Sequence, residues 1–157
     1  MDYFPVAIRL RNKKVIVVGG GKVAHRKVAT LLDSKALIQI VTPKLSAELK
    51  NLADKGIISW VKKSVEEKDI KGATLIISAT DRKKINSKAS RWAKKRGIPI
   101  NVVDNSYLSD FISPALVKKD KALVAVYSDG RDPVLSRDLK NYLNERWNDF
   151  LLFRDKL

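Results

Sequence analysis

The run Gly19-Gly20-Gly21-Lys22-Val23-Ala24 has the spacing G-x-G-x-x-G/A. It follows directly on the β-branched block Lys14-Val15-Ile16-Val17-Val18 and opens a stretch with Val23, Val28, Leu31 and Leu32 at helix-like spacing. In that strand–turn–helix setting each residue type has a task. Gly19 permits a tight turn, and Gly21 lets a pyrophosphate approach the backbone with no Cβ in the way. Ala24 keeps the helix close to the sheet. The free N–H groups of the helix N-terminus then face phosphate oxygens. The chemistry implied is dinucleotide binding; a tight turn without a ligand is the competing reading.

Ligands of open parallel sheets lie beyond the carboxyl ends of the strands, and two carboxylates fall there. Asp81 follows Ser78-Ala79-Thr80 and is read first as the N-cap of the helix behind it. Asp104 follows Asn101-Val102-Val103 and has no helix to cap at once. A carboxylate in that place can accept a proton while a hydride departs; a loop Asp in a turn is the plainer account. The second strand ends Val41-Thr42-Pro43-Lys44, without the acidic residue that often binds ribose hydroxyls. Thr42 can hydrogen-bond a ribose and Lys44 favours a 2′-phosphate, so local chemistry leaves NAD and NADP both open. His25, the one histidine, sits beside Arg26 and Lys27 and reads as exposed or phosphate-side. No Ser-His-Asp triad and no metal-ligand set is readable.

The elements that position these residues alternate in type. Strands are expected at 14–18, 37–41, 57–61, 74–79 and 98–103, the last with Pro99 near its start. Helices are expected over 23–32, from Thr42-Pro43 as cap and first helical residue to a stop at Gly56, and over 83–96 with Gly97 as terminator. Such alternation implies a parallel sheet with helices on both faces, a Rossmann-type doubly wound α/β domain. Phe111-Ile112-Ser113-Pro114 breaks the rhythm. Two short strand-like runs follow, 115–118 and 122–127, and then a helix begins at Asp132-Pro133. That helix aligns Leu135, Leu139, Tyr142, Leu143, Trp147 and Phe150 on one side. Packing on its own domain is the usual explanation for such a stripe, and a dimer interface the sharper one. The expected division is residues 1–113 as the dinucleotide-binding domain and 114–157 as a small segment with the C-terminal helix.

The 157 residues fit one domain with a small appendage, and 45% hydrophobic residues suffice for a core. No run of about 18 apolar residues marks a membrane span. The start Met1-Asp2-Tyr3-Phe4-Pro5 lacks the features of a secretory signal. The absence of cysteine excludes disulfides and thiolate metal sites and makes a cytoplasmic setting the natural reading. With 32 Lys+Arg against 17 Asp+Glu, the net charge of +15 draws anions. The basic residues are scattered as Lys13-Lys14, Lys62-Lys63, Lys83-Lys84, Lys94-Lys95-Arg96 and Lys118-Lys119, with no continuous basic arm. That argues against nucleic acid and leaves a polyanionic small molecule or a merely solvated surface.

Several motifs stand in order along the chain. They are Phe4-Pro5-Val6 with Leu10, the run VIVVGGGKVAHRK from Val15 to Lys27, and Ser78-Ala79-Thr80-Asp81. After them come Asn101-Val102-Val103-Asp104, Phe111-Ile112-Ser113-Pro114-Ala115 and Asp132-Pro133-Val134-Leu135-Ser136-Arg137. In order and spacing they resemble the precorrin-2 dehydrogenase/sirohydrochlorin ferrochelatase family. That family comprises the N-terminal part of bacterial siroheme synthase and the stand-alone dehydrogenases, and the resemblance spans nearly the whole chain.

The resemblance implies oxidation of precorrin-2 to sirohydrochlorin with NAD as hydride acceptor, and Asp104 as the catalytic aspartate. It implies a cofactor site of Gly19, Gly20, Gly21, Lys22, Val23 and Ala24, with Thr42, Pro43 and Lys44 on the adenosine side and Ala79, Thr80 and Asp81 alongside. The family has no acidic residue at the end of the second strand. It implies a homodimer built through the region after Pro114. Its polycarboxylate substrate gives the basic charge a role, with Lys118, Ser128 and Arg137 as candidate contacts. Two loops depart from the pattern: Asp129 stands where many relatives have Gly, and Asp33-Ser34-Lys35-Ala36 lacks a common Gly. The methyltransferase domain of siroheme synthase lies outside this sequence, so a separate methyltransferase is expected to supply precorrin-2. Dehydrogenase activity alone is expected. Added iron insertion, a non-catalytic NAD-sensing module and a basic nucleic-acid-binding protein are the alternatives.

Overall fold

The structure, a computed structural model, describes residues 2–119 and 121–155. The chain divides into two units, one of Pro5–Phe111 and one that joins the residues up to Phe4 with those from Ile112 onward. The N-terminal residues thus group with the C-terminal segment, and not with the sheet that follows them in sequence.

The larger unit contains five strands: β1 (Lys14–Val18), β2 (Leu37–Val41), β3 (Ser59–Val61), β4 (Leu75–Ser78) and β5 (Ile100–Val102). All pairs are parallel, in the order β3-β2-β1-β4-β5. Crossovers are α1 (Lys22–Leu32), α2 (Ala47–Asp54) and α3 (Lys83–Lys95), with a single 3-10 turn at Glu67–Ile70 between β3 and β4. The β-branched run of β1 is what a central strand needs, because it is covered on both faces. Ile16 and Val18 point with Ile76, Ile100 and Val102 toward Ala89 and Ala93 of α3. Val17 points the other way with Ile40 and Ile77, toward Ala24 and Val28 of α1 and Leu49 of α2. Burying each such aliphatic side chain contributes about 1.5–3 kcal/mol.

Two helix starts differ from the sequence expectation. α2 begins at Ala47 behind Ser46, whose hydroxyl accepts from the Leu49 N–H at 3.4 Å, and not at Thr42-Pro43. Thr42 is still occupied by the sheet. Its N–H donates to the Val61 carbonyl, and its own carbonyl accepts from the Trp60 indole at 2.9 Å. α3 is preceded by Arg82, which makes no side-chain cap, so Asp81 does not serve as its N-cap. The local turn is closed instead by Thr80, whose hydroxyl accepts from the Arg82 N–H at 2.8 Å. β3 and β5 are also shorter than expected, because only the residues next to β2 and β4 find parallel partners.

In the smaller unit, β6 (Ala115–Lys119) and β7 (Ala122–Val126) form an antiparallel hairpin, followed by α4 (Pro133–Glu145) and α5 (Trp147–Arg154). Asp132 caps α4, accepting from the Leu135 N–H at 2.8 Å, with Pro133 in the first turn. The expected single terminal helix is two helices meeting at Arg146. Only Ser136 of α4 is buried; Leu143 and Trp147 are half-buried, while Leu135, Leu139, Tyr142 and Phe150 stay exposed, so the apolar stripe is only partly covered by its own unit. Asp129 occupies the left-handed region at φ +56, tolerable for Asp in a turn. Its carboxylate accepts from the Asp2 and Tyr3 N–H groups at 3.0 and 3.1 Å. Among the described residues no helix is long and apolar enough to cross a membrane.

Two outcomes follow. Ile76 is fully buried on the central sheet, so Ile76→Ala should lower unfolding free energy by about 2–5 kcal/mol in urea titration. The bonds from Asp2 and Tyr3, the former the larger cause, hold the Asp129 carboxyl below its usual value. That clasp is therefore complete above the ordinary aspartate range and lost as pH falls through the lowered value. Amide protection at Asp2 and Tyr3, taken relative to the intrinsic exchange rate at each pH, should be lost there before that of the hairpin amides; simultaneous loss would contradict it.

Candidate functional site

A cavity of about 460 Å³ opens at the carboxyl ends of β1, β2 and β4. This is the size range of small-molecule and cofactor clefts. Its walls include Gly19, Gly20, Gly21, Lys22 and Val23 from the first turn, Thr42, Pro43 and Lys44 from the second, and Ala79, Thr80 and Asp81 from the turn after β4. The structure thus brings the expected cofactor-side residues around one space, with Ala24 as the exception. Ala24 lies wholly buried under the loop, packed with Val17 and Val28. Val18, Val41, Val65 and Ile85 supply apolar surface.

The three glycines have different reasons. Gly19 has φ +114, and a Cβ there would collide with the Ala79 carbonyl. A Cβ on Gly20 would collide with the Lys44 carbonyl and approach the Thr42 methyl to 2.8 Å. Three strand–helix turns converge here, and their backbones leave no room for a side chain. The Ser46 N–H donates to the Gly20 carbonyl at 2.7 Å and ties the start of α2 to the loop. Gly21 is the opposite case: a Cβ there meets nothing within 4 Å. It precedes α1 without any side-chain cap, so the first-turn N–H groups have neither side-chain nor intrahelical partners. A space above uncapped helix N–H groups, walled by a loop free of Cβ atoms, suits a pyrophosphate. Burial, helped by the neighbouring Arg26 charge, holds the Lys27 ammonium below its usual range.

At the β2 end, the Thr42 hydroxyl donates to the Lys44 carbonyl at 3.2 Å. Its lone pairs remain, so it can meet a ribose hydroxyl as an acceptor. Asp104 is exposed beyond β5 and does not line the cavity itself. It is linked to the rim by a residue absent from the sequence reading, Asn86 of α3, which is 2% exposed. The Asn86 amide donates to the Thr80 carbonyl at 2.9 Å and to the Asp104 carboxylate at 3.3 Å, while its oxygen accepts from the Ser78 hydroxyl at 2.8 Å. A signal existed: Asn86 stands three and seven residues before Ala89 and Ala93, a polar residue on the buried stripe of α3.

The expected substrate contacts Lys118, Ser128 and Arg137 all belong to the smaller unit. The Ser128 hydroxyl donates to the Asp132 carbonyl at 2.6 Å and accepts from the Asp132 N–H and the Ser136 hydroxyl. A hydroxyl has one donor and two acceptor positions. Its one proton is engaged at the start of α4, where the Ser136 hydroxyl also lies 3.2 Å from the Asp132 carbonyl, so donation to a substrate carboxylate requires the Ser128–Asp132 bond to open. The Arg137 guanidinium pairs with Asp138 at 2.9 Å, which raises its pKa further.

Comparison with known proteins places these features in context. The family model described as putative NAD(P)-binding matches residues 6–115. Siroheme synthase 1 of Aeromonas salmonicida is 42% identical over 143 residues, 91% of this chain and 31% of that protein. Siroheme synthase of Methylococcus capsulatus is 42% identical over 140 residues, 89% of this chain and 30% of that protein. The chain therefore spans about a third of the length of the curated relatives it matches. A solved structure, that of SirC, precorrin-2 dehydrogenase, aligns with a TM-score of 0.80 at 28% identity, covering 92% of this chain and 71% of that one.

The glycines can be told apart by experiment. Gly19→Ala should cost on the order of 1–3 kcal/mol from backbone strain alone, with the collision at Ala79 adding to it. Gly21→Ala, in open space at an ordinary φ of −90, should unfold in urea at the wild-type midpoint. Equal destabilisation of both variants would contradict the assignment of separate roles.

Proposed function

The chain belongs to the putative NAD(P)-binding family, and from that premise we propose that it is an NAD-dependent precorrin-2 dehydrogenase of siroheme synthesis. The observation that carries this reading is the likeness of nearly the whole chain to a precorrin-2 dehydrogenase. The ordered motifs ending in Asp104 and in Asp132-Pro133 agree with it.

In this reading the loop from Gly19 to Val23 binds the pyrophosphate, with Ala24 as the close-packing residue beneath. Thr42, Pro43 and Lys44 hold the adenosine side, and Ala79, Thr80 and Asp81 flank the remainder of the dinucleotide. NAD, when bound, supplies the acceptor for the hydride leaving the reduced macrocycle. Asp104 is the general base: its carboxylate oxygen takes the proton released as the macrocycle loses that hydride, so one hydride and one proton leave together. The basic charge draws in the polycarboxylate substrate, and Lys118 and Arg137 are the proposed contacts for its rim. Ser128 joins them if its hydroxyl turns away from Asp132.

The protein acts as a homodimer in this reading, joined through the segment after Pro114. An apolar stripe with Leu135 56% and Tyr142 58% exposed is the kind of surface that a second copy covers. The absence of cysteine suits a cytoplasmic enzyme.

The test is anaerobic NADH formation with precorrin-2 generated in situ, for wild type and Asp104→Ala. Wild type should turn over. The variant should bind NAD normally and lose activity by roughly 100-fold or more, the scale of a lost general base. A folded wild type that binds NAD without turnover would sink the reading and favour a sensing module. Leu139→Asp should convert the dimer to monomer in sedimentation velocity; a wild-type monomer would refute that part.

A further inference from the structure

We propose that Asn86 is the positioning residue for Asp104, fixing one oxygen of that carboxylate and leaving the other to the reaction; this rests on the dehydrogenase reading. Asn86 is fully enclosed in the first turns of α3, where an apolar side chain would otherwise sit against the sheet. A polar side chain in such a place must have its hydrogen bonds met, and three are: from the Ser78 hydroxyl, and to the Thr80 carbonyl and the Asp104 carboxylate. The orientation of the amide is not free. The Thr80 carbonyl is an acceptor only, so the NH2 group must face it. The carbonyl oxygen of Asn86 then points to the fully buried Ser78, where it takes the hydroxyl proton. With these two bonds made, the second N–H is directed at Asp104 Oδ1.

Asp104 is exposed, and among the described residues it accepts a side-chain hydrogen bond only from Asn86. A lone exposed carboxylate rotates among its staggered positions. The bond from a buried amide anchored at Ser78 and Thr80 selects one of them. Because the same amide holds the Thr80 carbonyl on the cavity rim, one side chain sets the separation between the cofactor wall and the base. Small displacements of a reacting group lower rates steeply while leaving binding intact.

The direct test needs no turnover. In the unliganded protein, one of the two Asn86 side-chain amide protons should shift upfield in Asp104→Ala, while the other, bonded to Thr80, stays. Because position 104 is exposed, this variant keeps the fold. Two unmoved protons would overturn the proposal. The second test uses Asn86→Asp, which keeps the shape and the acceptor for Ser78 but sets a carboxylate oxygen against both Asp104 and the Thr80 carbonyl. It should lower kcat by roughly 10- to 100-fold, a larger change than any in the Kd for NAD that follows from the lost bond to Thr80. Asn86→Ala placed on Asp104→Ala should bring no further loss, as for residues acting as one unit. Wild-type kcat in Asn86→Asp, beside an active wild type, would overturn the positioning role. An inactive wild type would overturn the dehydrogenase reading instead, and the amide spectrum would still decide whether Asn86 holds Asp104.

Discussion

The larger unit depends on β1 being buried on both faces. Val15, Ile16 and Val17 have no exposed surface, which requires cover on each side, and the helices that supply it are the crossovers between parallel neighbours. Parallel neighbours need crossovers, and each crossover leaves its turn at the same end of the sheet. The cavity follows from that geometry. It lies where the turns after β1, β2 and β4 meet, at the place where the chain order reverses from leftward to rightward strands.

Crowding at this end does more than make a hollow. The Ser46–Gly20 bond joins two turns, the Trp60–Thr42 bond fastens the second turn to β3, and the Thr80–Arg82 bond closes the third turn on itself. None of them requires a ligand. The loop is therefore held in its binding shape before anything arrives, which reduces the ordering cost of binding. Asn86 extends this lattice to β5 and brings an otherwise free carboxylate into the same frame.

The strands, their parallel direction and the glycine loop were legible because they rest on local patterns: β-branched blocks, glycines at fixed spacing, periodic apolar residues. What was hidden depended on partners far away in sequence. Thr42-Pro43 has the local look of a helix start, but Val61 and Trp60 claim Thr42 for the sheet edge. Asp81 resembles a cap, but the helix starts one residue later, behind Arg82, and the Thr80 hydroxyl closes the turn on the Arg82 N–H instead. Asn86 looks like an ordinary surface residue until its neighbours on the stripe are known to be buried. Basic residues that seem scattered along the chain are partly gathered, since Lys84, Lys88, Arg91 and Lys95 all stay exposed on one side of α3. The exposed stripe of α4 and the break at Arg146 could not be read from periodicity, which says which residues share a side and not what covers it.

The unequal glycines carry a consequence for the history of such proteins. Two of them answer to the fold, since their neighbours' backbones exclude a side chain; a Cβ on the third meets nothing within 4 Å, and in the proposed reading that position answers to the pyrophosphate. A descendant relieved of its ligand would still be purged of changes at positions 19 and 20, while position 21 would be released to drift. Replacement confined to that one position would then mark a lineage in which the scaffold outlived its cofactor.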